Sequence, residues 1–565
     1  MSGTIQTMEK GLATVNAAAM ASVVLAAGLS LALPFWGDQA LFTVYARQIA
    51  QGAVLYRDIF DVKQPGIFLF YLLGGSLFGY TEIGIHLFEL LYWLAFSAFA
   101  MVALRPYFPS RWAAPLVPVF SVGVYYLAAG LLDLTQIEIL VGFPLLLAWW
   151  LLDLADPRTA RGHKRYAAAG LAAAAVVLLK HLYLLIVLAF VAQAAVRSWR
   201  RDASIADIRH ALWRFAIGLA APLFVVFLYF VVLGQFGRVW WAYFEVAPAQ
   251  QLMAPRPLAH LIAGARHFMI GHGPILILAT LGCLRGLRSR SHPQASLVIA
   301  MLLWLAIGAV AFFVLQGWPL YKWALFTMPL GVLAVVGIEE IVAAATRTHA
   351  WVCWLTLAVA TTLAIASFAI GAPAPEVQTR LLLAIVIGTG AAVAAELLNQ
   401  RPRMRATTLC VLNAALGVSV GVAAILPSTK LRSLLDHEFA WTAASRRDFQ
   451  WAWNIAYRHA DEDLGRLSRD GVLPGPFFVF GDPVVLFRAN RPQGASILGW
   501  GPDFLDQREW RVLHAELQSN LPPYIVVDEY SASKIRSRYP AMLGLLQSKY
   551  RVAFAGGSGI WYVRR

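Results

Sequence analysis

The sequence predicts a polytopic α-helical membrane protein of about 13 transmembrane helices with a C-terminal soluble α/β domain. Three observations predict this. Hydrophobic residues make up 59% of the 565 and charged residues only 14%, against about 25% charged in soluble proteins; mean hydropathy is +0.63. Apolar runs recur near 17–35, 83–104, 113–131, 137–153, 166–179, 182–196, 212–233, 273–287, 295–315, 319–341, 351–371, 378–398 and 406–427. From Ser428 the composition changes: 32 of the last 138 residues are charged, against 45 of the first 427.

Crossing a hydrocarbon core of about 30 Å takes about 20 apolar residues. Residues 17–35 fit, with only Lys10 as nearby positive charge, and are read as an uncleaved first span rather than a signal peptide. A long polar interruption follows from Phe35 to Gly66. From Asp38 its pattern is helical, with Gln39, Thr43, Arg47 and Gln51 on one side and Leu41, Phe42, Val44, Tyr45 and Ile49 on the other. This predicts an amphipathic helix along the membrane surface with Asp38 at its N-cap. The run 65–79, "PGIFLFYLLGGSLFG", is short for a span and is read as a re-entrant or interfacial helix. Lys180 and His181 break 166–196 into two short helices meeting at the outer side. Residues 35–82 and 234–272 are the two large outer loops, the second aromatic and proline-bearing.

Charge sets the orientation. The net charge of +15 suggests nucleic acid, but its excess lies in short loops between apolar runs. That is the positive-inside pattern, not a recognition face. With the N-terminus cytoplasmic, 19 Lys and Arg fall in cytoplasmic segments or span ends and nine, Arg380 included, in outer ones. Thirteen spans then put the tail outside. In the tail, "PFFVF" (476–480), "YIVVDE" (524–529) and "RVAFAGGSGIWYVRR" (551–565) read as strands, with helical stretches near 444–468, 507–518 and 532–548. Gly556-Gly557-Ser558-Gly559 suggests a closing hairpin. The expected organisation is a membrane domain at 1–427 and an extracytoplasmic α/β domain at 428–565. Cys283, Cys353 and Cys410 lie in apolar runs without ligand spacing and read as buried thiols.

On this topology Asp38, Asp58, Asp61, Glu138, Lys63, Lys180 and Lys322 all lie on the outer side. Ionisable groups at membrane depth are costly and usually face a cavity or a partner. Carboxylates supply bases or ligands for a divalent metal cation, here Asp58, Asp61 and Glu138. Lysines can hold an anionic phosphate. Tyr321 beside Lys322, Arg57 beside Asp58, and Arg256 in the second loop complete the expected substrate-binding set. Structural readings stand beside these. Asp38 could only cap, Asp58 and Asp61 could form surface ion pairs with Arg57 and Lys63, and Lys63 could snorkel as an anchor. Glu89 and Glu396 read as structural hydrogen-bonding or helix-end residues.

The stretch "GDQALFTVYARQIAQGAVLYRDIFDVKQPGIFLFYLLGGSLFGYTEIGIHLFELL" resembles the opening of GT-C-fold membrane glycosyltransferases. It is most similar to the branch containing protein mannosyltransferases and the lipid A aminoarabinose transferase. Those carry an acid after span one, an amphipathic helix, a Lys-Pro-Pro or similar stretch and an aromatic re-entrant helix. Here the acid is Asp38 and the stretch is Lys63-Gln64-Pro65-Gly66. The usual Asp-Glu pair is Asp38-Gln39, so a second carboxylate is missing, and Asp58 or Asp61 is left to do part of its work. "TQIEIL" resembles the second acidic motif, with Glu138 in place. "LLKHLYLL" resembles the hairpin whose lysine faces the lipid phosphate, and "PPYIVVDEY" a strand of related soluble tails.

The resemblance implies a polyprenyl-phosphate-linked sugar donor used at the extracytoplasmic face of the bacterial inner membrane. The acceptor would be a cell-envelope glycan, lipid or protein. Asp38 would act as base or orient the acceptor, and Lys63, Lys180 and Lys322 would neutralise the departing phosphate. One base suffices, unlike the carboxylate pair of a hydrolase. The alternative is a transporter or flippase of a lipid-linked or small anionic substrate. It predicts polar or helix-breaking sites near mid-membrane and an internal repeat; the polar groups instead gather at one surface, and no repeat is visible. A non-enzymatic scaffold gives no reason for so many outer-face carboxylates and lysines.

Overall fold

The computed structural model describes residues 2–253, 258–288, 293–314, 319–348, 390, 415–467 and 474–565. Among them, eight stretches are long and apolar enough to cross a bilayer: Gly11–Gly28, Glu82–Ala103, Ala160–Trp199, Ile205–Val232, Leu258–Leu284, Gln294–Val314, Leu320–Val342 and Ala415–Asp436. The runs at 351–371 and, apart from Gly390, 378–398 lie outside the described residues, as do Glu396, Cys353, Cys410 and the first half of 406–427.

Two expected spans are shorter or broken helices. Residues 113–131 form Ala113–Pro118, a π turn Val119–Gly123, and Val124–Ala128. Pro118 lacks the amide for a regular helical bond, which favours irregularity beside it. Residues 137–153 form Ile137–Leu140 and Gly142–Asp153. The hairpin behaves as the sequence suggests. Helix Ala160–Lys180 ends where Lys180 turns extended (φ −161°, ψ 105°), a 3₁₀ turn covers His181–Tyr183, and Leu184–Trp199 returns.

The first polar interruption differs from expectation. Helix Gly37–Ala50 does not lie on the surface: Gln39 and Thr43 on its polar side are fully buried. That side meets protein, since Gln39 reaches Leu134 and Arg47 reaches Asn490 of the tail. Trp36, not Asp38, holds the N-cap position. Helix Pro65–Phe78 follows, with Pro65 in the first turn, where its missing amide costs nothing. The second interruption is largely helical. Phe236–Trp240, a π turn Trp241–Val246 and Ala247–Met253 precede a helix that already starts at Leu258.

Helix Ile425–Asp436 leads into the tail. Glu438, Phe439 and Ala440 all take left-handed angles (φ 52°, 53° and 56°) and turn the chain away from it. The tail holds a four-stranded sheet of order β1-β2-β4-β3. β1 (Phe477–Phe480) runs parallel to β2 (Tyr524–Val527), and β2 pairs antiparallel with β4 (Gly559–Arg564). β3 (Tyr550–Gly556) and β4 form the closing hairpin. All four residues of β1, "FFVF", are buried, which is why that run is apolar throughout rather than alternating. One continuous hydrophobic core joins tail and membrane helices.

Candidate active site at the Asp38–Lys63 cluster

Asp38 lies in the first turn of helix Gly37–Ala50, where the helix dipole favours a carboxylate. Lys63 comes from the segment before helix Pro65–Phe78. Its Nζ lies 2.8 Å from Asp38 Oδ1 and 4.0 Å from Asp61 Oδ2. Asp61 Oδ1 also accepts the Lys63 amide at 3.0 Å. The carboxylates are nearly enclosed (9% and 7% side-chain exposure), while the ammonium keeps 26%. It sits 4.9 Å from the Phe42 ring centroid, within cation–π range. Burial would lower the Lys63 pKa, but Asp38 and then Asp61 outweigh it and hold the group above the ordinary lysine range. Burial pushes the Asp61 carboxyl upward, with Lys63 pulling it part of the way back.

A second ion pair completes the cluster. Lys180 donates to Glu138, which is 2% exposed. Lys63 and Glu138 are close enough to interact electrostatically. Tyr321 lies against Asp38, with Glu138 and Asp61 nearby. Lys322, 7% exposed, shares the neighbourhood of Lys180, Glu138 and Asp38. The two pairs are brought together where the helices carrying them meet. A Cβ on Gly66 would stand 2.5 Å from the Leu178 carbonyl oxygen, so only glycine allows this approach. Gln64 Nε2 and His181 Nδ1, 2.8 Å apart, join the same two segments.

Asp38, Asp61, Glu138, Lys63, Lys180, Tyr321 and Lys322 thus converge. Asp58 and Arg57 do not join them. Arg57 grips both Asp58 oxygens at the surface, the Val54 amide adds a bond at 2.8 Å, and Arg57 holds the Asp58 carboxyl below the usual range. The Asp58 carboxylate closes the Val54–Ile59 turn. Arg256 lies outside the described residues. The expected cation set of Asp58, Asp61 and Glu138 does not fit a metal. Among the described residues no three His, Cys, Asp or Glu side chains are placed to hold a metal ion, and these three carboxylates face Arg57, Lys63 and Lys180.

Some contributions escape sequence reading. Tyr56 donates to the Lys63 carbonyl at 2.9 Å and shares a hydrogen bond with Tyr243 of the second interruption. Buried Glu89 accepts from Tyr125 Oη at 2.5 Å, Thr135 Oγ1 at 2.8 Å and the Thr135 amide at 3.1 Å. That fixes the segment before Glu138 and matches the structural reading of Glu89. The tail also reaches the site: the Trp500 ring lies so near Gly37 that a Cβ there would be 2.4 Å from it. None of these has a sequence signal beyond residue type, because each partner is distant along the chain.

The cluster offers three ammonium groups for an anion and carboxylates beside them that can orient or deprotonate a hydroxyl. No protein-family model and no curated protein matches the chain. Two solved structures of ArnT from Cupriavidus metallidurans are similar. The one bound to undecaprenyl phosphate has TM-score 0.54 and 14% identity, with 98% of each chain covered. The apo form has TM-score 0.52 and 15% identity, again over 98% of each. With its membrane helices, its acid-bearing helix after the first span and its α/β tail, the chain has the GT-C transferase fold of ArnT.

Proposed function

We propose that the chain is an inner-membrane glycosyltransferase that moves a sugar from a polyprenyl-phosphate donor to an acceptor hydroxyl at the extracytoplasmic face. The observation carrying this reading is the interleaving of Lys63, Lys180 and Lys322 with Asp38, Asp61 and Glu138 in one enclosed cluster. A similar fold bound to undecaprenyl phosphate supports the donor class. The acceptor oxygen attacks the anomeric carbon as the bond from that carbon to the phosphate oxygen breaks. The electron pair leaves with the polyprenyl phosphate, and the acceptor proton passes to Asp38. The lysines neutralise the departing phosphate, which needs no proton from an acid. Tyr321 and Asp61 hold Asp38 and Lys63 in place. The soluble tail stands on the extracytoplasmic side and the N-terminus in the cytoplasm.

The test is transfer from a radiolabelled polyprenyl-phosphate sugar in proteoliposomes, with wild type and Asp38→Asn. Loss of about 10²–10⁴-fold in turnover is expected for the variant, the range of general base catalysis. Unchanged transfer removes Asp38 from the chemistry, and no transfer by wild type from any such donor removes the class.

A further inference from the structure

The backbone leading into each of the two acids, Asp38 and Asp61, is held by the tail. Gly37 precedes Asp38 and packs on Trp500. Two residues earlier, the Phe35 amide donates to Tyr457 Oη at 2.8 Å, and Asn454 Nδ2 donates to the Phe35 carbonyl at 2.9 Å. Phe60 precedes Asp61, and its amide donates to the Ser496 carbonyl at 2.9 Å. Ser496 and Trp500 belong to one strap, residues 493–500. The strap is fastened to β1 by the Gly494 amide and Phe477 carbonyl, 3.0 Å apart. Gln493 Nε2 stiffens it by donating to Ala495 O at 2.7 Å and Ile497 O at 3.1 Å. Its other fastening is Glu516, in helix Gln507–Asn520. Both carboxylate oxygens are engaged, one by the Ser496 amide at 2.7 Å and one by Ser496 Oγ at 2.6 Å.

We infer that Glu516 is a positioning residue for the transfer reaction: through Ser496 it sets where Phe60 places Asp61, and the strap sets where Gly37 places Asp38. The inference rests on the transferase reading. Two carboxylates sharing one lysine must be held to a fraction of an ångström, and a shift of about 1 Å can cost about 10²-fold in rate. The tail is on this account part of the reaction centre.

The test uses the full-length protein in nanodiscs. Glu516→Ala should lower kcat about 10- to 100-fold with the donor KM within about twofold of wild type. Glu516→Gln, whose amide can still pair with both Ser496 groups, should recover most of it. A merely structural role would not give that split and rescue. Hydrogen exchange supplies a readout independent of turnover. Amides of residues 36–43 and 60–63 should exchange faster in Glu516→Ala, while β1 and β2 stay protected. If β1 and β2 lose protection, Ser496→Ala replaces it, since that change removes the Ser496 Oγ bond to Glu516 and leaves Glu516 and its helix intact. Wild-type kcat in a folded variant, or unchanged exchange at 60–63, overturns the inference. If wild type transfers nothing, the function reading falls and the exchange measurement alone decides the positioning.

Discussion

Gln39 donates its side-chain amide to the Leu134 carbonyl while its Oε1 accepts the Trp36 amide at 2.9 Å. One buried side chain thus donates and accepts at once, which a carboxylate cannot do. A neutral amide at position 39 is what this pair of bonds requires. Gln39→Glu sets an anion against the Leu134 carbonyl and should cost about 2–4 kcal/mol. It should also lower transfer at least tenfold, because Leu134 begins the segment leading to Glu138. Thermal melts with and without donor, beside initial rates, check this; wild-type stability and rate would show that position 39 accepts either residue.

The Lys180–Glu138 pair separates stability from chemistry. Lys180→Met leaves Glu138 buried without its cation and should cost about 3 kcal/mol. Adding Glu138→Gln should restore most of that stability and none of the transfer. A double-mutant cycle on melting midpoint and on kcat/KM reads both. Recovery of both would reduce the pair to a structural role.

Gly66 sets how closely Lys63 and Lys180 approach. Gly66→Ala forces helix Pro65–Phe78 off the Leu178 carbonyl and should cost about 1–3 kcal/mol. The Gln64–His181 contact should weaken, and the donor KM should rise several-fold with kcat less affected. Steady-state kinetics over a donor series tests this; an unchanged KM would mean that the two lysines do not grip one phosphate.

Glu509, in the first turn of helix Gln507–Asn520, is pushed up to about 7 by burial. A carboxyl raised in the folded state contributes its stability below the unfolded pKa and loses it as pH rises through the folded one. The tail should therefore lose up to about 3 kcal/mol between about pH 4.5 and pH 8 on account of this residue. Glu509→Gln should flatten that loss. Melting midpoints across this range check the slope, and parallel curves for the two proteins would refute it.

What could be read from the sequence was what local pattern encodes. Apolar runs gave the long helices, and the break at Lys180-His181 gave the hairpin. The tail strands follow from "PFFVF", "YIVVDE" and the closing glycine turn, and helices 444–468 and 532–548 were each legible except for their breaks at Asn454 and Tyr539-Pro540. The convergence of Asp38, Lys63, Glu138, Lys180 and Lys322 was readable because charge at span ends on one side leaves few places to go. The pairing was not. Asp61 and Asp58 look alike in "RDIFDVK", yet one turns in to Lys63 and the other out to Arg57, since a turn with Tyr56 at φ 69° decides which side each faces. The buried polar side of helix Gly37–Ala50 was misread for a similar reason: periodicity locates a polar stripe but does not say whether water or protein covers it.

Counted as formal charges, Asp38, Asp61 and Glu138 balance Lys63, Lys180 and Lys322, so the cluster is a neutral salt made of its own side chains. An arriving phosphate does not fill a waiting positive hole; it exchanges with a counter-ion already present. On the proposed reading the carboxylate displaced from Lys63 is Asp38, so the donor unmasks the base that its own transfer needs. With no donor bound that base stays paired with Lys63.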